Sequence, residues 1–468
     1  MPTQPSAKEE ARIAALAEKV SEVKNDEPCS DASAEEVKTE VGNYFVSNYP
    51  PFSFWSPAYN AEAEKLLDTE APADLPLGLY FHIPFCRKRC HFCYFRVYTD
   101  KKADEIREYV DASMAEFAAY AARPYLQGRK PKYIYFGGGT PSYLSSDQLK
   151  DLTGRMKDLM PWDEVEEVAF ECEPGTLTEK KVNAIRELGV TRLSLGVENF
   201  DSHILELNGR AHKGPEIERA YQWAKAAGFE QINIDLIAGM IDETEENWKL
   251  CVEKAIEMDP EMMTIYQMEV PYNTTMYQQM KEQGKFSAPV ADWETKRRWV
   301  SEAYARLAEA GYEVTSAYTV AKNPDKMKFV YRDALWAGSD LLPIGVASFG
   351  HLGGIHLQNE HNIEPYVAKV KDGGAIGLYR SYVTDPEERF IREFILTMKL
   401  GRLDLGYYRK KFGVEPREIF ATQFQELLAD GWATLDGDDF RLTEKGLLQV
   451  DRLLHGFFLE RHRNARYA

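Results

Sequence analysis

The sequence predicts an α/β fold, a partial (β/α)6-type barrel on a parallel sheet, followed by a small, mainly helical, winged-helix-like domain. Three observations carry this. Six short apolar runs with β-branched or aromatic enrichment alternate with amphipathic segments of helical period, and such alternation packs as parallel strands with helices outside. No dinucleotide fingerprint is present, which favours a barrel over an open doubly wound sheet. After about Tyr379 the alternation stops and helical patterns follow one another.

Residues 1–40 hold ten acidic and five basic residues and almost no aromatics, too little apolar surface to offset ordering entropy, and read as a disordered acidic tail. Residues 41–77 form an aromatic arm. Its segment from Gly42 to Trp55 packs six aromatics into fourteen residues, so it belongs against a folded body, and its Pro pair makes it irregular. The barrel is expected over 78–320, with strands at 78–83, 133–139, 168–174, 192–200, 232–239 and 263–270. Helices are expected at 103–122, 146–160, 178–188, 215–227, 243–258 and 291–311, and a further strand at 312–318. Residues 321–380 form an extension, and 381–468 the C-terminal domain, with a helix at 387–400, further helices, a hairpin around Gly437 and a closing helix.

At 468 residues, 44% hydrophobic and 28% charged, the chain is a globular protein of more than one ordinary domain. A formal charge of −18 argues against nucleic acid as a partner. No apolar run is long enough to span a membrane and no hydrophobic leader follows Met1, so a cytoplasmic protein is expected, as a monomer. Half of the six cysteines fall between Cys86 and Cys93. That clustering argues for metal or redox chemistry rather than disulfides. Cys172 and Cys251 read as inert buried thiols, and Cys29 carries no readable role.

The stretch YFHIPFCRKRCHFCYF (Tyr80 to Phe95) sets Cys86, Cys90 and Cys93 in a C-x3-C-x2-C loop directly after a strand. Three thiolates so spaced can each ligate one iron of a [4Fe–4S] cluster, leaving one iron open to a ligand bearing an amine and a carboxylate. A Cys3His zinc site using His91 or His82 is the alternative. Arg87, Lys88 and Arg89 would offset the charge of a thiolate-ligated cluster. The glycine turn at 137–139 lets backbone approach a ligand closely. Glu171, Glu198 and Asp235 stand near the carboxyl ends of successive strands, where they suit hydroxyls or an ammonium, and Arg210 can grip a carboxylate. His351, His356 and His361 read either as metal or haem ligands or as part of a polar surface loop. Tyr318, Tyr331 and Arg332 are candidates for a substrate mouth.

These motifs, in this order, resemble the radical S-adenosylmethionine (SAM) superfamily and its HemN-like branch, the oxygen-independent coproporphyrinogen III oxidase family and relatives. The likeness rests on Y-x-H-I-P-F-C with C-x-F-C, the GGGTP turn (Gly137 to Pro141), Glu171 in FECEPGT, RLSLGVENF, the segment Asn208 to His212, and INIDLIAGM with Asp235. It implies a [4Fe–4S] cluster on Cys86, Cys90 and Cys93. It also implies one or two SAM molecules against Tyr80, Phe92, Gly138, Gly139, Thr140, Glu171, Glu198, Arg210, Asp235, Met268 and Phe349. The implied substrate is a tetrapyrrole or other large small molecule, and the implied electron donor is a protein such as flavodoxin or ferredoxin. Three activities follow from the branch: a coproporphyrinogen-oxidase-like reaction, a two-SAM C-methyltransferase of the haem-degrading type, and a HemW-like haem chaperone. Phe95 stands where the oxidases usually place a further cysteine, Glu198 replaces a glutamine and Ile241 a proline. The arm resembles one that covers the substrate.

Overall fold

The computed structural model describes residues 44–271, 274–282 and 290–463; the acidic tail and Cys29 lie outside them. Six strands run parallel in sequence order: β1 (Leu77–Ile83), β2 (Pro131–Gly138), β3 (Glu167–Cys172), β4 (Arg192–Glu198), β5 (Gln231–Ala238) and β6 (Met262–Gln267). They are buried almost end to end, as strands covered on both sides must be. The helices between them (Ala103–Ala121, Ser146–Leu159, Glu179–Glu187, Gly214–Ala227, Glu245–Met258 and Trp293–Glu309) begin and end within two residues of the expected bounds. Local chemistry sets those bounds: Ser145 and Gln148 form a capping box, Thr178, Thr244 and Asp292 cap their helices, and left-handed Gly228 ends another.

The expected strand at 312–318 is instead two short strands, β7 (Glu313–Val314) and β8 (Thr319–Ala321), with β8 antiparallel to β6. The Ser316 hydroxyl accepts the backbone N–H groups of Tyr318 and Thr319 and folds the chain between them. On the far side of β1 the sheet continues through the extension. β9 (Asp340–Ile344) pairs parallel with β1, then β10 (Phe349–Leu352), β11 (Ile355–Asn359) and β12 (Leu378–Val383) follow antiparallel, giving twelve strands.

His351 and His356 are therefore not in a surface loop. They face each other across β10 and β11, both buried, with Nδ1 atoms 3.0 Å apart, and His356 stacks on Trp55. His361 is exposed and meets Tyr379 edge-on.

The amino-terminal half of the barrel is filled. Glu167 accepts the N–H groups of Val330 and Tyr331, which seats the helix Val330–Trp336 there. Tyr331 packs on Tyr135 at 4.3 Å, and the Arg192 guanidinium lies 3.9 Å from the Phe329 ring.

A second core gathers Phe390, Phe394, Tyr408, Phe420, Phe424 and Phe457 of the C-terminal region. There the helix Pro386–Met398 and several short helices pack against β13 (Arg402–Asp404), β14 (Ala433–Asp436) and β15 (Asp439–Leu442), with the hairpin turning at Gly437. The arm is built into this junction. Phe45 N–H donates to Glu269 (2.8 Å), Val46 N–H to Asp451 (2.8 Å), and Lys399 Nζ to the Val46 carbonyl (2.8 Å). Lys399 is fully buried and also pairs with Asp451 at 3.2 Å. Removing one member of a buried charged pair strands the other, so Lys399→Ala should cost about 3–5 kcal/mol in urea unfolding and open the arm to proteolysis. An unchanged midpoint and cleavage pattern would show that Lys399 does not hold the arm.

A candidate site at the carboxyl ends of the barrel strands

The cysteine loop is fixed at several points. Tyr98 N–H donates to the Pro84 carbonyl (2.8 Å) and Cys86 N–H to that of Tyr98 (3.0 Å), which closes the loop at its base. Further out, His91 N–H donates to Asn208 O (3.0 Å), and Met276 N–H to His91 O (2.9 Å). The glycine turn lies beneath. Gly139 N–H donates to Ile83 O (2.8 Å), and a Cβ at Gly139 would come within 2.9 Å of backbone atoms of Ile83, Pro84 and Phe85. Gly138, with φ +111°, would press a Cβ into the His82 ring. The glycines thus seat the loop before they serve any ligand. Thr140 donates its hydroxyl to Cys86 Sγ (3.3 Å).

Burial pushes the Cys86 thiol up to about 12 and the Cys93 thiol up to about 11, and the three sulfurs repel one another's charge. Such thiols stay protonated until a cation displaces the protons. Opposite them, Glu171, Glu198 and Asp235 come from β3, β4 and β5. Burial pushes Glu171 and Glu198 up to about 7, and Asp235 above its usual range; Asp235 raises both of the others further. Glu198 sits in the left-handed region (φ 64°) where the β4–β5 register slips, a strained placement for a non-glycine residue. Arg210 joins the two sets. Its Nη1 donates to Cys90 Sγ (3.3 Å), its Nη2 to Gly196 O (2.5 Å), and Glu198 lies 3.4 Å away.

The other expected residues fall into two places. Tyr80 hydrogen-bonds His82 (3.0 Å) and stacks near Tyr135, whose hydroxyl donates to Glu171 (2.5 Å). Phe92 packs with Ile204, Ile237, Met240 and Met268 in a small apolar cluster beside the loop. Phe349 is not with them: it packs on Phe52 and Trp55 of the arm, at 4.7 and 5.7 Å. Tyr318 donates to Asp451, while Arg332 is buried against Asp333 and Trp336. Arg87 is committed elsewhere than expected. It forks onto Glu173 with two bonds of 2.9 Å, and Glu173 also meets His212 at 3.1 Å.

Sequence reasoning missed Glu173, the polar ladder Ser194–Asn233–Thr264 beneath Asp235, and Tyr94, Tyr266 and Glu269 at the rim. The ladder had a signal, a polar residue in each of three neighbouring apolar runs.

The residue set fits the expected groups. Among the described residues no three Cys, His, Asp or Glu side chains converge as one metal ion requires. A cubane asks for less convergence, since each thiolate takes its own iron. The desolvated carboxylates call for a cationic ligand, and the buried Arg210 Nε has no partner among the described residues.

Burial alone would push the Glu173 carboxyl up, but its bonds to His212 and Arg87 hold it at about 2, below its ordinary 4.5. Its stabilising contribution, about 3 kcal/mol at 1.4 kcal/mol per unit, is present above pH 4.5 and is lost as pH falls toward 2. Glu173→Gln should therefore be less stable than wild type at pH 7, and the gap should narrow by pH 3 in urea titrations. A gap independent of pH would show that the carboxylate charge does not anchor Arg87.

Comparison with known proteins agrees with this architecture. Residues 80–255 match the Radical SAM superfamily and 384–448 the HemN C-terminal domain. The heme chaperone HemW of Bacillus subtilis is 27% identical over 387 residues, 81% of this chain and 99% of the relative. The oxygen-independent coproporphyrinogen III oxidase of Escherichia coli is 25% identical over 390 residues, 80% of this chain and 84% of the relative. The solved structure of coproporphyrinogen III oxidase (HemN) from Escherichia coli, described as a radical SAM enzyme, superposes with a TM-score of 0.77 at 24% identity, covering 88% of this chain and 96% of that one. The chain belongs to the radical SAM superfamily, in its HemN-like branch.

Proposed function

We propose that this protein is a radical SAM enzyme acting on a tetrapyrrole, with coproporphyrinogen-oxidase-like chemistry. The observation that supports the reading is Arg210, which links Cys90 of the cysteine loop to Glu198 at the end of β4. The cofactors are those of the superfamily, a [4Fe–4S] cluster and SAM. Cys86, Cys90 and Cys93 would hold the cluster. Bound there, it supplies the electron that cleaves the sulfonium of SAM, giving methionine and a hydrogen-abstracting 5′-deoxyadenosyl radical.

The chain's own residues do the rest. Thr140 orients Cys86, Arg210 offsets the sulfur charge at Cys90, and Glu171, Glu198 and Asp235 offer acceptors to an ammonium and to ribose hydroxyls. Phe329, Tyr331 and Arg192 close the barrel from below and exclude water from a reaction in which a radical must meet only its substrate. The polar ladder under Asp235 fixes that carboxylate through hydrogen bonds from Ser194 and Asn233.

A second reading, haem carriage, is favoured by the relatives named as heme chaperones, whose full length this chain spans. Methyl transfer gains no support from the site. Anaerobic incubation with coproporphyrinogen III, SAM and a reductant should yield vinyl product. Stoichiometric haem binding with no SAM cleavage above background would instead establish the carrier, and label from methyl-deuterated SAM in the product would establish methyl transfer.

The ligand assignment has its own test. Alanine at Cys86, Cys90 or Cys93 should remove most of the brown chromophore and the iron after anaerobic reconstitution. Recovery of stoichiometric zinc in the wild type would sink the assignment.

A further inference from the structure

Resting on the radical SAM reading, we infer that Asn208 is a positioning residue, whose side chain clamps the turn after β5 to the segment bearing Arg210 and so sets that arginine for SAM. Asn208 ends the helix Ser202–Leu207 and is fully buried. A buried amide must find partners for two N–H groups and an oxygen. Asn208 Nδ2 donates to Ile204 O (2.8 Å) and to Ile241 O (3.2 Å), and its Oδ1 accepts the Ile241 N–H (3.1 Å). A carbonyl only accepts and a backbone N–H only donates, so the amide has a single orientation and both of its N–H groups are used.

Ile241 makes the clamp possible. It replaces the proline of the HemN-like pattern, and a proline has no N–H to give. The turn is therefore held by bonds where the pattern holds it by a ring. On its other flank Glu243 accepts the N–H groups of Gly239 (2.6 Å) and Met240 (3.0 Å) together with Asn199 Nδ2 (2.8 Å). Asn199 directly follows the left-handed Glu198. One turn is thus bonded to the neighbour of Glu198 through Glu243, and to the approach to Arg210 through Asn208.

The main chain of the same segment meets the cysteine loop. Asn208 O accepts the His91 N–H (3.0 Å), and Leu207 O accepts His91 Nδ1–H (2.9 Å). Gly209, with φ +77°, passes so close that a Cβ there would lie 2.8 Å from His91 Cδ2. Two residues beyond Asn208, Arg210 reaches Cys90 Sγ at 3.3 Å and Glu198 at 3.4 Å. His91 ties this segment to the cysteine loop, and the Asn208 clamp ties it to β5. Without the clamp the segment can turn with the loop, and the arginine leaves its register with Glu198.

The test is SAM binding to the full-length, cluster-reconstituted protein, measured by equilibrium dialysis and by the change that SAM makes in the electron paramagnetic resonance of the reduced cluster. Asn208→Ala, which removes the whole clamp, should weaken SAM binding about tenfold and diminish the spectral change, while iron content stays at the wild-type level because the cysteines are intact. Ile241→Pro, which removes only the N–H, should weaken binding about threefold. The double variant should bind no more weakly than Asn208→Ala, because the bond each substitution breaks is the same. Melting temperature and iron content show which variants are folded, and Ile241→Pro, which leaves Asn208 in place, keeps the test valid should Asn208→Ala collapse. SAM affinity and spectra equal to wild type in the folded single variants would leave Asn208 a purely structural residue and overturn the inference, as would losses that simply add in the double variant. Absence of SAM binding by the reconstituted wild type would instead overturn the radical SAM reading on which it rests.

Discussion

The structure turns on an excess of negative charge held out of water at one end of a barrel. Three carboxylates and three thiols stand at the carboxyl ends of β1 and β3–β5, and Arg210 touches one of each, Cys90 and Glu198. Left alone such a cluster protonates, which is why burial raises Glu171, Glu198, Asp235, Cys86 and Cys93 together. The geometry is built for incoming positive charge, and a metal cluster with a sulfonium-bearing, ammonium-bearing ligand supplies it. The surrounding architecture serves to keep this recess dry and its walls rigid.

Two closures do that work. Below, Phe329 and Tyr331 fill the barrel, Glu167 accepts the backbone N–H groups of Val330 and Tyr331, and the Arg192 guanidinium lies over the Phe329 ring. Above, the arm threads between the barrel and the C-terminal region, its backbone bonded by Glu269 from the end of β6, Asp451 from the C-terminal region and Lys399. The arm is a strap whose backbone polar groups are satisfied by the ionisable side chains of Glu269, Asp451 and Lys399. Phe349, packed on Phe52 and Trp55, belongs to this strap as much as to the sheet.

What the sequence revealed was whatever has a short period. Strands β1–β6 and their helices are legible because burial on both faces writes continuous apolar runs, and one-sided burial writes helical stripes with capping residues at their ends. The cysteine loop and the strand-end carboxylates are legible for the same reason, since their spacing is local. The extension was not legible: β9 to β12 are short and interrupted by Gly353 and Gly354, and nothing in the runs says that β9 returns to β1. The pairing of His351 with His356 needed the hairpin register, which a five-residue spacing alone does not give. Arg87 looked like a counter-charge for the sulfurs because its partner, Glu173, lies 86 residues away.

That last correction changes how the cysteine loop is understood. The loop is tied to β3 through Arg87 and Glu173, to the segment after β4 through His91 and Asn208, and to β2 through Gly139 and Ile83. These ties come from three successive βα units, so the loop reaches its shape only after those units have packed, and a slip of any one moves a sulfur. Glu173 is itself bound to His212, two residues beyond Arg210, which is the residue that touches Cys90. The anchor of the loop and its charge partner therefore belong to one hydrogen-bonded unit, and a disturbance at Glu173 reaches Cys90 through rigid backbone rather than through solvent. Positioning of the sulfurs is in this sense a property of the whole barrel mouth, of which the C-x3-C-x2-C spacing shows the smallest part.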